Sequence, residues 1–183
     1  MKGICKFLLK LMGWTVVGDQ APVNKCIIIG APHTSAWDFV ISWLFYASKG
    51  AVANILIKKE FFFWPVGYFV RKMGGLPIDR SKGANVIRQT IQLINKRERI
   101  HLALTPEGTR SLNKRWKAGF HIISKETGIP VYLGYFDWGR KEISVGEPFE
   151  LSDNAKEDIK RMKDFYREKG IKGKFPELFT TDY

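Results

Sequence analysis

The sequence predicts an α/β fold: a single domain with a central mixed, largely parallel sheet flanked by helices. Three observations predict it. Short apolar runs of strand length, such as CIIIG at 26–30, alternate with longer stretches of helical periodicity. The chain has 183 residues, 45% apolar and 26% charged, which suits one domain with a full-sized core. No repeat or low-complexity linker divides it. The expected organisation is an N-terminal arm over residues 1–18 and a domain over 19–183.

The elements follow in order. Residues 2–14 suit an amphipathic helix. Lys2, Lys6 and Lys10 recur every four residues, and Ile4, Phe7, Leu8, Leu11 and Trp14 cluster opposite them. Such a helix can lie in a membrane interface or dock on the domain's own core. Cys26 to Gly30 reads as a buried strand, Ala36 to Ser48 as a helix with a broad apolar face, and Val52 to Ile57 as a second strand. Lys59 to Lys72 is aromatic-rich and interrupted by Pro65 and Gly67, so a broken helix is expected. Leu76 to Asp79 forms a short strand after a Gly-Gly turn. Ala84 to Lys96 places Val86, Ile87, Ile91 and Ile94 on one side of a helix, with Ser81 as a candidate cap. Ile100 to Thr105 is a strand and Lys117 to Thr127 a helix. Val131 to Phe136 and Glu142 to Val145 are strands joined by a turn at Asp137 to Arg140. Asp153 to Glu168 is expected as a polar surface helix.

Composition narrows the partners. The formal net charge is +12, which favours a polyanion, either nucleic acid or an anionic membrane surface. No recognised nucleic-acid motif is present and the basic residues are spread along the chain, so nucleic acid is set aside. Aromatic residues make up 14%, which suits apolar surface or an apolar ligand. Cys5 and Cys26 lack metal-ligand spacing, and one His among scattered carboxylates gives no ligand cluster, so no metal is expected. No apolar run is long enough to span a bilayer. Lys6 and Lys10 interrupt the N-terminal apolar segment and no cleavage site follows, so no signal peptide is expected.

Three motifs carry chemistry. The first is APHTSAWDF, residues 31–39. His33 and Asp38 are five positions apart, which on an ideal helix turns one side chain roughly 140° from the other. On a strand, an odd spacing puts them on opposite faces. They meet only if the backbone changes character between them. Pro32 disfavours helix before it, and Ser35-x-x-Asp38 resembles a capping box. A strand-to-helix corner is therefore expected. There a carboxylate can fix the imidazole tautomer and leave its other nitrogen free to take a proton. Read alone, the pair is equally a turn His and a helix-capping Asp.

The second motif is GGLPIDR, residues 74–80. Its paired glycines permit close backbone approach, and Arg80 is built for bidentate phosphate recognition. The third is TPEGTRS, residues 105–111, which follows a strand at the edge where open α/β sheets meet their ligands. In it Gly108 can let amides cradle an anion, Arg110 adds charge, and Glu107 can accept hydroxyl hydrogen bonds. Each of these is, alone, also a plain polar turn.

Taken together and in this order, HTSAWD, the Lys59 segment, GGLPIDR, TPEGTRS and GIPVYLGYF (128–136) resemble the block set of the glycerolipid, lysophosphatidate-type acyltransferase family. The resemblance runs from about residue 26 to about 150. It implies a glycerol-3-phosphate acyltransferase-like fold with His33 and Asp38 as the catalytic dyad. It places Arg80 at the acceptor's phosphate, and Glu107 and Gly108, with Thr109 and Arg110 alongside, at the acceptor. Pro130 falls on the proline of the fourth block, near the acyl donor. Many members carry Asn before the His, where this chain has Pro32.

The function so implied is transfer of a fatty acyl group from acyl-CoA or acyl-carrier protein, as co-substrate, to a hydroxyl of a lysolipid acceptor in phospholipid biosynthesis. No bound cofactor is expected. Backbone amides near the helix start, or around Gly108, would stabilise the oxyanion. The family also implies a peripheral place at the cytoplasmic face of the inner (plasma) membrane. Phe62 and Trp64 are acyl-groove candidates, with plain core packing as the other reading of that aromatic run. Two alternatives stay open: hydrolysis of a thioester or lysolipid by the same dyad, and acylation of a non-glycerophosphate lipid.

Overall fold

The computed structural model describes residues 1–79, 81 and 85–183. Its strands are β1 (Thr15–Val16), β2 (Lys25–Ala31), β3 (Asn54–Lys58), β4 (Gly75–Ile78), β5 (Ile100–Leu104), β6 (Val131–Asp137), β7 (Glu142–Ser144) and β8 (Pro148–Phe149). Its helices are α1 (Lys2–Leu11), α2 (Trp37–Lys49), α3 (Val66–Lys72), α4 (Asn85–Asn95), α5 (Gly119–Thr127) and α6 (Ala155–Glu168), with short 3-10 turns at Lys59–Phe61 and Pro176–Leu178.

One sheet runs β1-β7-β6-β2-β5-β3-β4, with β8 on the edge of β6. The pairs from β6 through β4 are parallel, and β7 and β8 run antiparallel to β6. The architecture is thus the mixed, mostly parallel α/β sheet expected. Among the described residues two pairings go beyond the sequence reading, β1 and β8, each of two residues and too short for a periodic signal.

Side chains of β2 alternate between the two faces, as a strand buried on both sides requires. Ile27, Ile29 and Ala31 join Leu102, Leu133, Phe120 and Met162 on one face. Cys26 and Ile28 join Ile41, Phe45 and Tyr132 on the other. Helices α4, α5 and α6 cover the first face; α1 and α2 cover the second. Helix α3 also belongs to the second face. Leu56 and Leu76 point to the first, so their neighbours Ile57 and Gly75 point away, and a Cβ on Gly75 would meet Val70 Cγ1 at 2.5 Å.

Two expectations about helices need correction. The 153–168 helix is not simply polar surface: Met162 and Tyr166 are buried on the first face. The Tyr166 hydroxyl lies 2.7 Å from the Gly134 carbonyl and 3.2 Å from that of Ile29, bridging β6 and β2. The arm, in turn, docks on the domain through one stripe and leaves another exposed. Cys5 and Leu9 dock against α2, and Trp14, assigned to the free apolar face, is buried beyond the end of the helix. A separate stripe of Ile4, Phe7 and Leu11 stays 65%, 63% and 70% exposed.

Candidate active site

The chain leaves β2 and travels to β3 and β4 on one side, then returns through β5 to β6 on the other. The C-terminal end of β2 is therefore the switch point of the sheet, where α/β folds open a crevice. Residues 32–36 turn that corner, and His33 and Asp38 meet there.

His33 Nδ1 lies 3.2 Å from Asp38 Oδ2. The same oxygen accepts the backbone N–H groups of Thr34 at 2.9 Å and Ser35 at 2.8 Å. Ser35 Oγ in turn accepts the N–H of Trp37 at 3.2 Å, so only the Asp38 half of a capping box is formed and the serine bonds one residue short of it. The other oxygen, Oδ1, accepts the indole N–H of Trp138 at 2.7 Å. Asp38 is 1% exposed, so a carboxylate there needs these four partners. A carboxylate only accepts, so against Asp38 the Nδ1 of His33 is the donor, and among the described residues Nε2 has no hydrogen bond. The His33 side chain is 24% exposed.

A second carboxyl holds the corner from the next strand. Glu107, just past β5, accepts the backbone N–H of His33 at Oε1, 2.8 Å away, and is 5% exposed. Among the described residues its buried Oε2 has no hydrogen-bond partner. Burial pushes its carboxyl up to about 7, against a smaller opposing pull from the His33 N–H. Glu107 thus faces inward to the corner at His33.

Gly108 has φ +68°, and a Cβ on it would meet Lys117 Cε at 2.6 Å. A side chain there would collide with the lysine stem that crosses the loop. The loop is held by Asn113 Nδ2 donating to the Glu107 carbonyl at 2.7 Å and by Thr109 Oγ1 accepting from Ser111 N–H. Arg110 is exposed. Lys117, which the sequence analysis took only as the start of a helix, joins these residues as a second cation. Its signal was weak, since it opens a predicted helix.

Other candidates are placed as follows. Arg80 lies outside the described residues. Its neighbour Asp79 is paired with Lys59 Nζ at 2.6 Å, and Lys59 and Ser81 hold the Asp79 carboxyl well below the usual range. Phe62 is half-buried beneath the Arg71 guanidinium, 4.8 Å from its ring centre, and Trp64 is 88% exposed. Both follow the C-terminal end of β3, on the same sheet edge as the dyad. Pro130 does not join them. Its carbonyl accepts the Ile27 N–H at the start of β2, whereas His33 follows the end of that strand. The parallel register puts Pro130 on the opposite sheet edge, roughly 20 Å away along the strand.

The expected oxyanion amides at the helix start are also engaged. The N–H groups of His33, Thr34, Ser35 and Trp37 all bond within the corner. Trp138 went unnoticed in the sequence; its one signal was a large aromatic in an otherwise polar turn, DWGR. Among the described residues no three His, Cys, Asp or Glu side chains converge to hold a metal ion.

Residues 14–133 match the family model described as Acyltransferase. The chain is 29% identical over 177 residues to a 1-acyl-sn-glycerol-3-phosphate acyltransferase of Streptococcus pneumoniae, covering 86% of this chain and 64% of that protein's length. Its fold is similar to the crystal structure of the 1-acyl-sn-glycerophosphate (LPA) acyltransferase PlsC from Thermotoga maritima. The TM-score is 0.61 at 18% identity, over 92% of this chain and 78% of the other.

Proposed function

The chain belongs to the acyltransferase family, and we propose that it moves a fatty acyl group from acyl-CoA or acyl-carrier protein to a hydroxyl of a lysophospholipid or related glycerolipid. The observation that carries this is the His33–Asp38 pair, with Nδ1 held by a buried carboxylate and Nε2 left free.

His33 Nε2 takes the proton of the acceptor hydroxyl, and the oxygen attacks the thioester carbonyl. Asp38 orients the ring and stabilises the imidazolium that forms, a contribution typically worth ~10² to 10⁴ in rate. Collapse of the tetrahedral intermediate expels the thiolate, which recovers the proton from His33. The N–H groups of His33, Thr34, Ser35 and Trp37 are engaged and that of Gly108 bonds the Thr105 carbonyl, so the developing oxyanion is met by Arg110 and Lys117. Those two cations also suit the acceptor's phosphate, as does Arg80 by its motif.

The protein works peripherally on an anionic membrane surface, at the cytoplasmic face where both donors are found. Ile4, Phe7 and Leu11 on α1 and Phe63, Trp64, Tyr68 and Phe69 around α3 are exposed apolar groups, and α1 and α3 cover the same face of the sheet. Lysines beside such a stripe add attraction to anionic lipid. Among the described residues no helix is long and apolar enough to cross a membrane.

The test is incubation of the purified protein with a lysolipid panel and both donors, with mass spectrometry of the products. Acylated acceptor formed by wild type and lost in His33→Ala is expected. Full activity in His33→Ala sinks the dyad assignment. Free fatty acid without acylated acceptor makes the protein a hydrolase.

A further inference from the structure

Beyond the dyad, on the β6 side, Lys141 and Lys174 rest on the Trp138 ring and the Lys172 carbonyl accepts its backbone N–H. We propose that Lys174, flanked by Lys141 and Lys172, forms the seat for the phosphate of the acyl donor's phosphopantetheine arm. The inference rests on the acyl-transfer reading and adds to it where the donor binds.

The seat is made by a C-terminal strap, residues 171–175, tied to the catalytic corner. The Lys172 N–H donates to Asp137 Oδ1 at 3.2 Å, and the Trp138 N–H to the Lys172 carbonyl at 2.9 Å. The Phe175 N–H donates to Thr34 Oγ1 at 3.2 Å, beside Asp38's own partners. Gly173 lies so close to Thr34 that a Cβ would meet its Oγ1 at 2.8 Å. Between these anchors Lys174 is fixed. Its ammonium lies 5.2 Å from the ring centre of Trp37, 5.0 Å from Trp138 and 5.9 Å from Phe175.

The charge of this group is unanswered. Lys141 Nζ stands 4.8 Å from the Trp138 ring, and the Lys172 stem lies against Gly139. Arg140, in the same turn, is paired with Asp137 and Glu142. Among the described residues Lys141, Lys172 and Lys174 have no acidic partner. Two ammoniums resting on one indole, with a third lysine in the strap bonded to that turn, make a site for a polyanion rather than an internal ion pair.

Position decides which anion. Lys174 rests on the Trp37 and Trp138 rings, and Trp138 bonds Oδ1 of Asp38, the oxygen that His33 does not use. A phosphate on the acceptor is only a few bonds from the attacked hydroxyl and so belongs close to Nε2. The pantetheine arm has about a dozen bonds between sulfur and phosphate, roughly 15 Å when extended, and can reach Lys174. The two substrates must also approach Nε2 from different sides. The β5 side carries Arg110 and Lys117, and the β6 side carries these lysines. All three lie beyond the residues matched by the family model.

The test is steady-state kinetics of wild type, Lys174→Met and Lys174→Arg, with acyl-CoA, acyl-carrier protein and acyl-pantetheine, which has no phosphate. Lys174→Met is expected to raise the KM of phosphate-bearing donors about tenfold, as for loss of one charge-assisted contact. The acceptor KM should stay put, the penalty should vanish with acyl-pantetheine, and Lys174→Arg should restore the donor KM. Comparing acyl-CoA with acyl-carrier protein shows which source of the arm the seat serves. An unchanged donor KM in Lys174→Met, a rise confined to the acceptor, or an equal rise with acyl-pantetheine overturns the proposal. Calorimetric binding of 4′-phosphopantetheine to wild type and Lys174→Met reads the site without turnover. Should wild type transfer no acyl group, the acyl-transfer reading fails, while a tenfold binding difference here still supports the seat and equal binding overturns it.

Discussion

The Glu107 carboxyl accepts the backbone N–H of His33 at 2.8 Å, so the third sequence block holds the first in place from a neighbouring strand. Glu107→Gln keeps an acceptor there, whereas Glu107→Ala leaves a buried N–H without one, at a cost of about 1 to 3 kcal/mol. Steady-state kinetics should show kcat close to wild type for Gln and reduced about ten- to a hundredfold for Ala. Equal, severe loss of acceptor affinity in both would instead make Glu107 a direct acceptor ligand.

The same residue makes stability depend on pH. Burial raises the Glu107 carboxyl to about 7, from an ordinary value of 4.5. The folded state therefore holds the proton more tightly than the unfolded one. The resulting stabilisation is full below about pH 4.5 and is lost as pH rises through about 7, about 3 kcal/mol in all. Urea unfolding from pH 4 to 8 should show Glu107→Gln losing less stability across that interval than wild type. Parallel curves would mean that Glu107 ionises at its ordinary value.

How much of this was legible in the sequence follows from the range of the interactions. The corner was legible because Pro32, Ser35 and Asp38 are local signals, and the Asp38 carboxylate accepts the Ser35 N–H as their spacing predicted. The aromatic interruption at Pro65 and Gly67 also correctly split one helix into a 3-10 turn and α3. Trp138 was not legible, because it reaches Asp38 from a hundred positions away and a turn tryptophan has no periodicity. That Pro130 stands at the other sheet edge from His33 was not legible, because a motif gives order along the chain and not the edge on which a residue stands. The split of α1 into a docking stripe and a free stripe depends on where α2 lies, which no wheel drawn on α1 alone contains.

Trp138→Phe isolates the indole N–H. The ring is kept, but Oδ1 of Asp38 loses its donor at 2.7 Å and stays buried. Losing a hydrogen bond to a charged group costs about 1.5 to 3 kcal/mol, so kcat should fall roughly tenfold or more. A rate close to wild type would reduce Trp138 to a packing residue.

The exposed stripe on α1 separates membrane contact from folding. Phe7 and Leu11 are mostly in solvent, while Leu9 on the same helix is buried in the core. The double change Phe7→Glu and Leu11→Glu removes two apolar anchors, each worth about 1.5 to 3 kcal/mol when fully buried, without opening a cavity. Stability should stay within about 0.5 kcal/mol of wild type. Co-sedimentation with phosphatidylglycerol vesicles should fall at least about tenfold, because both anchors would have to enter the interface charged. Leu9→Glu is the contrasting change: it buries an unpaired carboxylate between α1 and α2 and should destabilise the fold itself. Turnover of a membrane-embedded lysolipid should drop with vesicle binding in the double variant, while a dispersed short-chain acceptor is acylated as before. Undiminished vesicle binding would move the membrane contact away from α1, to the aromatic groups around α3.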